Sequence, residues 1–411
     1  MVFERTQKNL IMKSTCLRLA ELAGRSVRRL MIIAGLGATV ASAQPSLSGQ
    51  LATSQLSFKN ELRQSIDRGL AWLQTNQNPN GSWSVADAPA VTALALMSFE
   101  GEPGGRYRGP KPAWLERGYN HLLGCVRPDG GIYVTNLATY NTALSLLALH
   151  HANNPAYVPA VQNARRYLIG LQGDFGERGK LDSPFDGGIG YGTKYEHSDM
   201  GNTLQALEAL YYSKDVAKDA KPAAATELNL AAAIHFLRRC QNLPGSNPES
   251  WASDDPQNRG GFVYYPGHSM AGSVTNPATG RVALRSYGSI SYGGLLGLVY
   301  ADLKRDTPEV KAVFEWLRRN YTLEENPGMG QQGMFYYYHT MAKALTAFGV
   351  GDLELADGRK VAWRNELGLR LLNLQQRDGS WHNDNARWWE KDPALVTSYA
   401  LLALEIIHNG L

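Results

Sequence analysis

Gln77-Asn78-Pro79-Asn80-Gly81-Ser82-Trp83 and Gln375-Gln376-Arg377-Asp378-Gly379-Ser380-Trp381 are two copies of one turn, near opposite ends of a 411-residue chain. An apolar helical stretch leads into each. A second, almost uncharged helical stretch with Thr near its start leads out. The same order recurs four more times, through Gly130-Gly131-Ile132, Gly187-Gly188-Ile189, Gly260-Gly261-Phe262 and Gly333-Met334-Phe335. A repeat count fixes an architecture before any residue has a role. Six helix pairs can close on themselves as an (α/α)6 toroid, an all-α ring with an inner and an outer layer.

The two helix types differ in pattern. The first helices, such as residues 66–73, 164–169 and 313–319, carry Arg and Glu on one side, as an outer layer touching water does. The second helices, such as 91–99, 141–149, 202–207 and 396–404, are apolar or small on nearly every side. Helices of that kind are buried between layers. No alternating strand pattern of any length appears. Asp392 before Pro393 reads as a helix cap, and Asp87 before Pro89 as a second one. Residues 214–224 read as a solvated connector or helix end.

Composition bounds the rest. The chain is 44% hydrophobic and 19% charged, which excludes a disordered polymer. The formal charge of +4 comes from the first 43 residues, which hold seven Lys/Arg and two Asp/Glu. The remainder has 34 basic and 35 acidic residues, so no basic field is left to hold nucleic acid. Residues 1–43 read as an export signal: Arg25, Arg28 and Arg29 precede an apolar run over 30–40, and Ala41-Ser42-Ala43 offers a cleavage site. A run that short falls below the roughly 20 residues of a membrane span. The expected product is a periplasmic or secreted chain with a flexible lead-in at 44–60 and a toroid domain at 61–411. Cys125 and Cys240 are expected as buried thiols, with a disulfide as the lesser alternative.

The Gln-x-x-x-Gly-Ser-Trp turn, followed by a Thr-headed apolar helix, resembles the repeat of squalene and oxidosqualene cyclases and of protein prenyltransferase β subunits. The resemblance spans residues 61–408. It implies a ring whose central, largely apolar cavity is lined at the starts of the inner helices. It carries less about activity. Type II cyclases protonate an alkene or epoxide with the acid of a D-x-D-D or D-C-T-A-E motif, and neither occurs here. Asp199 is the best isolated acid at an inner-helix start, with capping as the alternative. Tyr338-His339-Thr340-Met341 resembles the stretch that carries the prenyltransferase zinc His. The Asp and Cys that should precede it are replaced by Ile290-Ser291-Tyr292. One His does not hold zinc, so no metal and no cofactor is expected.

Asp199 and His339 are therefore the candidate catalytic residues. His197, Arg285, Tyr287, Tyr292, Tyr338 and Trp388 are the candidate lining residues. Gly288, Gly293, Gly294 and Gly297 crowd one predicted inner helix at a cost of about 0.8–1.0 kcal/mol each. Either close helix packing or space kept for a ligand offsets that cost. The long segment 244–285 either covers a mouth of the ring or is a surface excursion. The functional expectation is a hydrophobic, isoprenoid-like molecule bound in the cavity, with cyclase-like transformation as a further step. Alternatives are a non-catalytic toroid that binds a protein or cell-envelope partner, including peripheral membrane contact, and a carbohydrate-active toroid with paired carboxylates.

Overall fold

The computed structural model describes residues 47–192, 197–217 and 227–411. The export signal lies outside them. Among the described residues, twelve helices of ten or more residues alternate between two layers. The outer layer is α1 (Leu47–Thr75), α3 (Ala113–Gly124), α5 (Val158–Gly170), α7 (Leu230–Arg239), α9 (Pro308–Arg319) and α11 (Trp363–Leu374). The inner layer is α2 (Pro89–Gly101), α4 (Ala138–His151), α6 (Met200–Tyr212), α8 (Gly288–Tyr300), α10 (Met334–Ala347) and α12 (Pro393–Gly410). Each inner helix packs on the next, and α12 packs back on α2, so the ring closes. The fold is the all-α toroid that the repeats imply.

Burial follows the two sequence patterns. In α2 every residue from Pro89 to Glu100 is buried. In α9 only Glu309, Val310, Val313, Trp316 and Leu317 are, which is one stripe at helical spacing. Residues 47–60, expected as a lead-in, form the first half of α1 instead. Residues 214–217 form a one-turn helix. Two short antiparallel ribbons also occur, Ser273–Thr275 with Val282–Leu284 and Leu353–Glu354 with Lys360–Val361. They are too short to show as alternation in the sequence.

The repeated turn has a physical function, met in full in four of the six copies and in part in a fifth. The Nε2 of Gln77, Gln172, Gln241 and Gln375 donates to the carbonyl of the turn glycine, Gly81, Gly187, Gly260 or Gly379. The same nitrogen donates to a carbonyl of the next outer helix or its cap, at Trp114, Asn229, Glu309 or Ser65. One amide therefore ties a turn to the following repeat. The inner-helix Thr or Ser completes the joint. Thr92, Thr142, Thr203, Ser291 and Thr397 accept from the backbone N–H of Trp83, Ile132, Ile189, Phe262 and Trp381. These N–H groups are buried and need a partner.

Repeat five departs from the expected form. Gly333 is the residue before α10, at φ 65°, and Met334 already belongs to the helix. Asn326 fills the gap: its side chain accepts from the Ser289 N–H and donates to the Ser289 hydroxyl and the Gln332 carbonyl. The glycines of α8 serve packing. A Cβ on Gly293 or Gly297 would meet Leu204 at 2.4 or 2.8 Å, and one on Gly294 would meet Phe262 at 2.4 Å. Cys125 and Cys240 are free, buried thiols. Asp392 caps α12 as expected, accepting from the Ala394 and Leu395 N–H groups. Asp87 does not cap α2; it is exposed, and the Ala90 N–H donates to Asn141 of the neighbouring helix instead.

Candidate functional site

The six inner helices run in one direction, so their N-termini meet at one mouth of the ring and their C-termini at the other. Each end encloses a chamber. The N-terminal chamber is about 780 Å³ and the C-terminal one about 240 Å³. Tyr140, Gln205, Tyr336 and Tyr399 line both and form a waist between them. The Tyr140 and Tyr399 hydroxyls share a 2.6 Å hydrogen bond across it. Two chambers divided by tyrosines thus lie along the axis of the ring.

The N-terminal chamber is walled largely by aromatic side chains. Tyr191, Tyr264 and Tyr287 contribute rings, and Trp388 and Trp389 stand at the rim. His197 lies 4.4 Å from the Tyr265 ring, which in turn stacks on His268 at 4.8 Å. The segment 244–285 supplies Tyr264, Tyr265, His268 and Met270 to this wall, so it covers part of the mouth. Its own small core is Trp251, Ala252, Val263 and Leu284. Trp388 and Trp389 are 40% and 52% exposed and hold φ of 59° and 62°. Two bulky residues in succession there are outliers. Such strain collects where a surface is held in place for use.

The candidate residues divide. His197, Tyr287 and Trp388 line the N-terminal chamber. Asp199 lies behind its wall, fully buried, as the cap of α6. Its two oxygens accept from the Asn202 backbone and side chain at 2.9 and 2.7 Å. Burial raises its pKa to about 6 against the lowering effect of the Asn202 and Tyr264 hydrogen bonds. The Tyr264 hydroxyl connects it to the chamber and shares a 2.7 Å bond with Tyr191. His339 lines the other chamber, 5.4 Å from the Tyr399 ring. Burial, and then the Lys343 charge, hold its pKa well below the usual histidine range. The two candidate catalytic residues therefore do not meet in one site.

Three expected lining residues line neither chamber. Arg285 is exposed, and its backbone serves the loop by accepting from the Ser269 hydroxyl. Tyr292 is packed edge-on against Tyr337, 5.7 Å away. Tyr338 donates to the Leu323 carbonyl at 2.6 Å and accepts from Arg370 at 3.2 Å. Residues that do face the chambers were missed: Tyr140, Gln205, Tyr336 and Tyr399 at the waist, and Glu208, Lys343 and Glu405 beyond it. Glu390 was missed as well. It is a buried carboxyl whose pKa burial raises, and it accepts from the Phe335 and Tyr336 N–H groups at the start of α10.

No protein-family model matches the chain, and no curated protein does. Solved structures of similar fold do. A variant of the type II terpene cyclase MstE from Scytonema, without ligand, is 14% identical, with 86% of this chain and 99% of that one covered and a TM-score of 0.51. Another MstE variant, in complex with geranylgeranyl dihydroxybenzoate as substrate, is also 14% identical over 86% and 99%, with a TM-score of 0.48. A protein from Actinoplanes is 13% identical over 85% and 100%, with a TM-score of 0.44. At such identity the likeness speaks for fold alone. The helix order, the closed inner ring and this likeness together give the chain the terpenoid cyclase-like α/α-toroid fold.

Proposed function

We propose that this protein binds a hydrophobic, isoprenoid-like molecule in the chamber at the inner-helix N-termini, after export through its first 43 residues. The observation that carries the reading is the chamber of about 780 Å³, walled by tyrosines and rimmed by two exposed tryptophans. Ligand sites are typically concave, mostly apolar and provided with a few placed polar groups. Aromatic walls suit an unsaturated chain by area and by ring geometry. The Scytonema cyclase is described with a geranylgeranyl-bearing substrate, which is the class carried over to this chain. A carbohydrate-active site needs paired carboxylates facing one groove. Among the described residues Asp87 is the one carboxyl that lines this chamber.

Geranylgeraniol, a C20 alcohol, is the test ligand. Saturable retention by the purified protein is expected. Asn136→Trp, an exposed change at the chamber wall, is expected to weaken it tenfold or more. Equal retention by this variant with an intact fold would sink the reading.

A second reading adds turnover, and one observation favours it. The raised pKa of Asp199 and its contact with Tyr264 put an acid one hydroxyl away from the chamber. In this reading Asp199 is the acid and Tyr264 its relay: the Tyr264 hydroxyl takes the Asp199 proton as it passes its own to an alkene carbon. The carbocation so formed later loses a proton that returns by the same route to the Asp199 carboxylate. Asp199→Asn is then expected to abolish conversion while the ligand is still retained. Unchanged conversion would exclude the acid role.

Stability gives an independent check on Asp199. Its folded pKa, about 6, lies above the unfolded value of 3.8. The folded chain thus holds a proton that the unfolded chain has released. The contribution is present below about pH 4 and is lost as pH rises through 6. The shift corresponds to about 3 kcal/mol. Asp199→Asn, which keeps a good capping group, should match the parent at pH 4 and exceed it at pH 7.5 in urea melts. The same difference at both pH values would show that Asp199 is not buried as described.

A further inference from the structure

Four of the six inner helices send a side chain to the waist: Tyr140 from α4, Gln205 from α6, Tyr336 from α10 and Tyr399 from α12. Helices α4 and α12 flank α2, since each packs on it. The 2.6 Å bond between the Tyr140 and Tyr399 hydroxyls therefore passes in front of α2, inside the ring. It is braced from α10. The Tyr336 ring meets the Tyr399 ring edge-on at 5.7 Å, and the His339 ring lies 5.4 Å from Tyr399. Burial pushes both bonded phenols above the usual tyrosine range, so the hydroxyls stay neutral and keep a proton to share. Parting the rings would leave two interior hydroxyls without partners, which is costly.

Below the waist the wall turns aliphatic. Leu94, Met97, Leu144 and Leu147 line the C-terminal chamber and not the N-terminal one. Leu144 stands about one turn beyond Tyr140 on the same helix. Such a wall suits a hydrocarbon tail, and the tyrosines stand between it and the N-terminal chamber. Volume sharpens the point. In a liquid, a carbon of a prenyl chain takes about the share of one water, ~30 Å³. A C20 chain then needs about 600 Å³ and a C30 chain about 900 Å³. The N-terminal chamber, about 780 Å³, admits the first and not the second. Joined to the C-terminal chamber of about 240 Å³, it admits both.

We infer that Tyr140 and Tyr399 set the length of the isoprenoid that this protein accepts. Their bonded rings are the floor of the N-terminal chamber and stop the chain short of C30. This inference rests on the function proposed above for that chamber. Removing either ring opens the floor, and a longer tail then lies against Leu94, Met97 and Leu144.

Retention of geranylgeraniol and of hexaprenol, the C30 alcohol of the same series, from one detergent by the full chain tests this. The parent is expected to retain the C20 alcohol at least tenfold more tightly than the C30 one. Tyr140→Ala and Tyr399→Ala are each expected to gain at least tenfold for hexaprenol, a gain that mere loosening of the fold does not produce. Ala347 is half-buried in the wall of the C-terminal chamber. Ala347→Trp fills that space, so it should cancel the gain when added to Tyr399→Ala. In the parent it should leave geranylgeraniol retention within twofold. Circular dichroism checks each fold, and if both alanine variants fail to fold, the parent's preference and Ala347→Trp decide. Equal retention of the two alcohols by the parent, no gain for hexaprenol in folded alanine variants, or a tenfold loss of geranylgeraniol in Ala347→Trp would each overturn the floor while the chamber reading stands. A parent that retains neither alcohol would overturn both.

Discussion

Gly187→Ala and Gly260→Ala are each expected to cost the fold about 4 kcal/mol or more. Both glycines hold left-handed φ, 83° and 94°. That alone costs an L-residue about 1–2 kcal/mol. Steric contact costs more. A Cβ on Gly187 would lie 1.9 Å from the Ala232 carbonyl oxygen, and one on Gly260 2.1 Å from that of Ala312. Those oxygens belong to α7 and α9, the outer helices of the following repeats. No rotamer change relieves a clash with helix backbone, so a whole helix must shift. Overpacking of well-packed cores costs about 1–3 kcal/mol even where side chains can move. Gly280→Ala separates the backbone strain from the clash. Its φ is 68°, but nothing lies within 4 Å of the added Cβ. It should lose only about 1–2 kcal/mol, the conformational part. Urea melts of the three variants decide the matter. Equal losses in all three would remove inter-repeat contact as the reason for the turn glycine.

These glycines also explain what could be read from the sequence. The turn had to be Gln, Gly and an aromatic or large apolar residue because Gln and Gly touch the next outer helix and the third residue is tied to the turn's own inner helix. Gln241 spans two carbonyls, Gly260 meets a helix backbone, and the Phe262 N–H needs Ser291. Constraints imposed in four or five of the six copies leave a visible period. The chambers carry no such signal. Inner helices are buried on every side, so apolar periodicity does not mark which face is hollow. Tyr336, Tyr337 and Tyr338 are equally aromatic, and successive helical residues point about 100° apart. Only Tyr336 reaches the chambers. The available marker was polar: Tyr336, His339 and Lys343 in α10, or Gln205, Glu208 and Tyr212 in α6, at spacings of three and four. Arg285 was misjudged for another reason. It sits two residues from Tyr287, but the chain turns outward there and only Tyr287 faces in.

Lys343→Met is expected to lose about 3–5 kcal/mol, although methionine fits the same volume. Lys343 pairs with Glu208 across the C-terminal chamber between α10 and α6, with the two side chains only 17% and 10% exposed. Removing one partner of such a pair strands the other charge in a poor solvent, and that stranding sets the cost. Glu208 then has to take up a proton or draw in water. Around it stand Tyr300 and Tyr336, which offer little else to solvate a carboxylate. Replacing both partners tests this account. Glu208→Leu with Lys343→Met leaves no charge behind, and buried pairs exchanged for apolar residues are often neutral or stabilising. The double variant should recover most of the loss in guanidinium melts at pH 7.5. It should also leave His339 easier to protonate, because the Lys343 charge helps to hold its pKa down. A single variant within about 1 kcal/mol of the parent would mean that water already reaches the pair and that the waist is wet. A double variant no better than the single would mean that packing between α6 and α10, not the stranded charge, sets the loss.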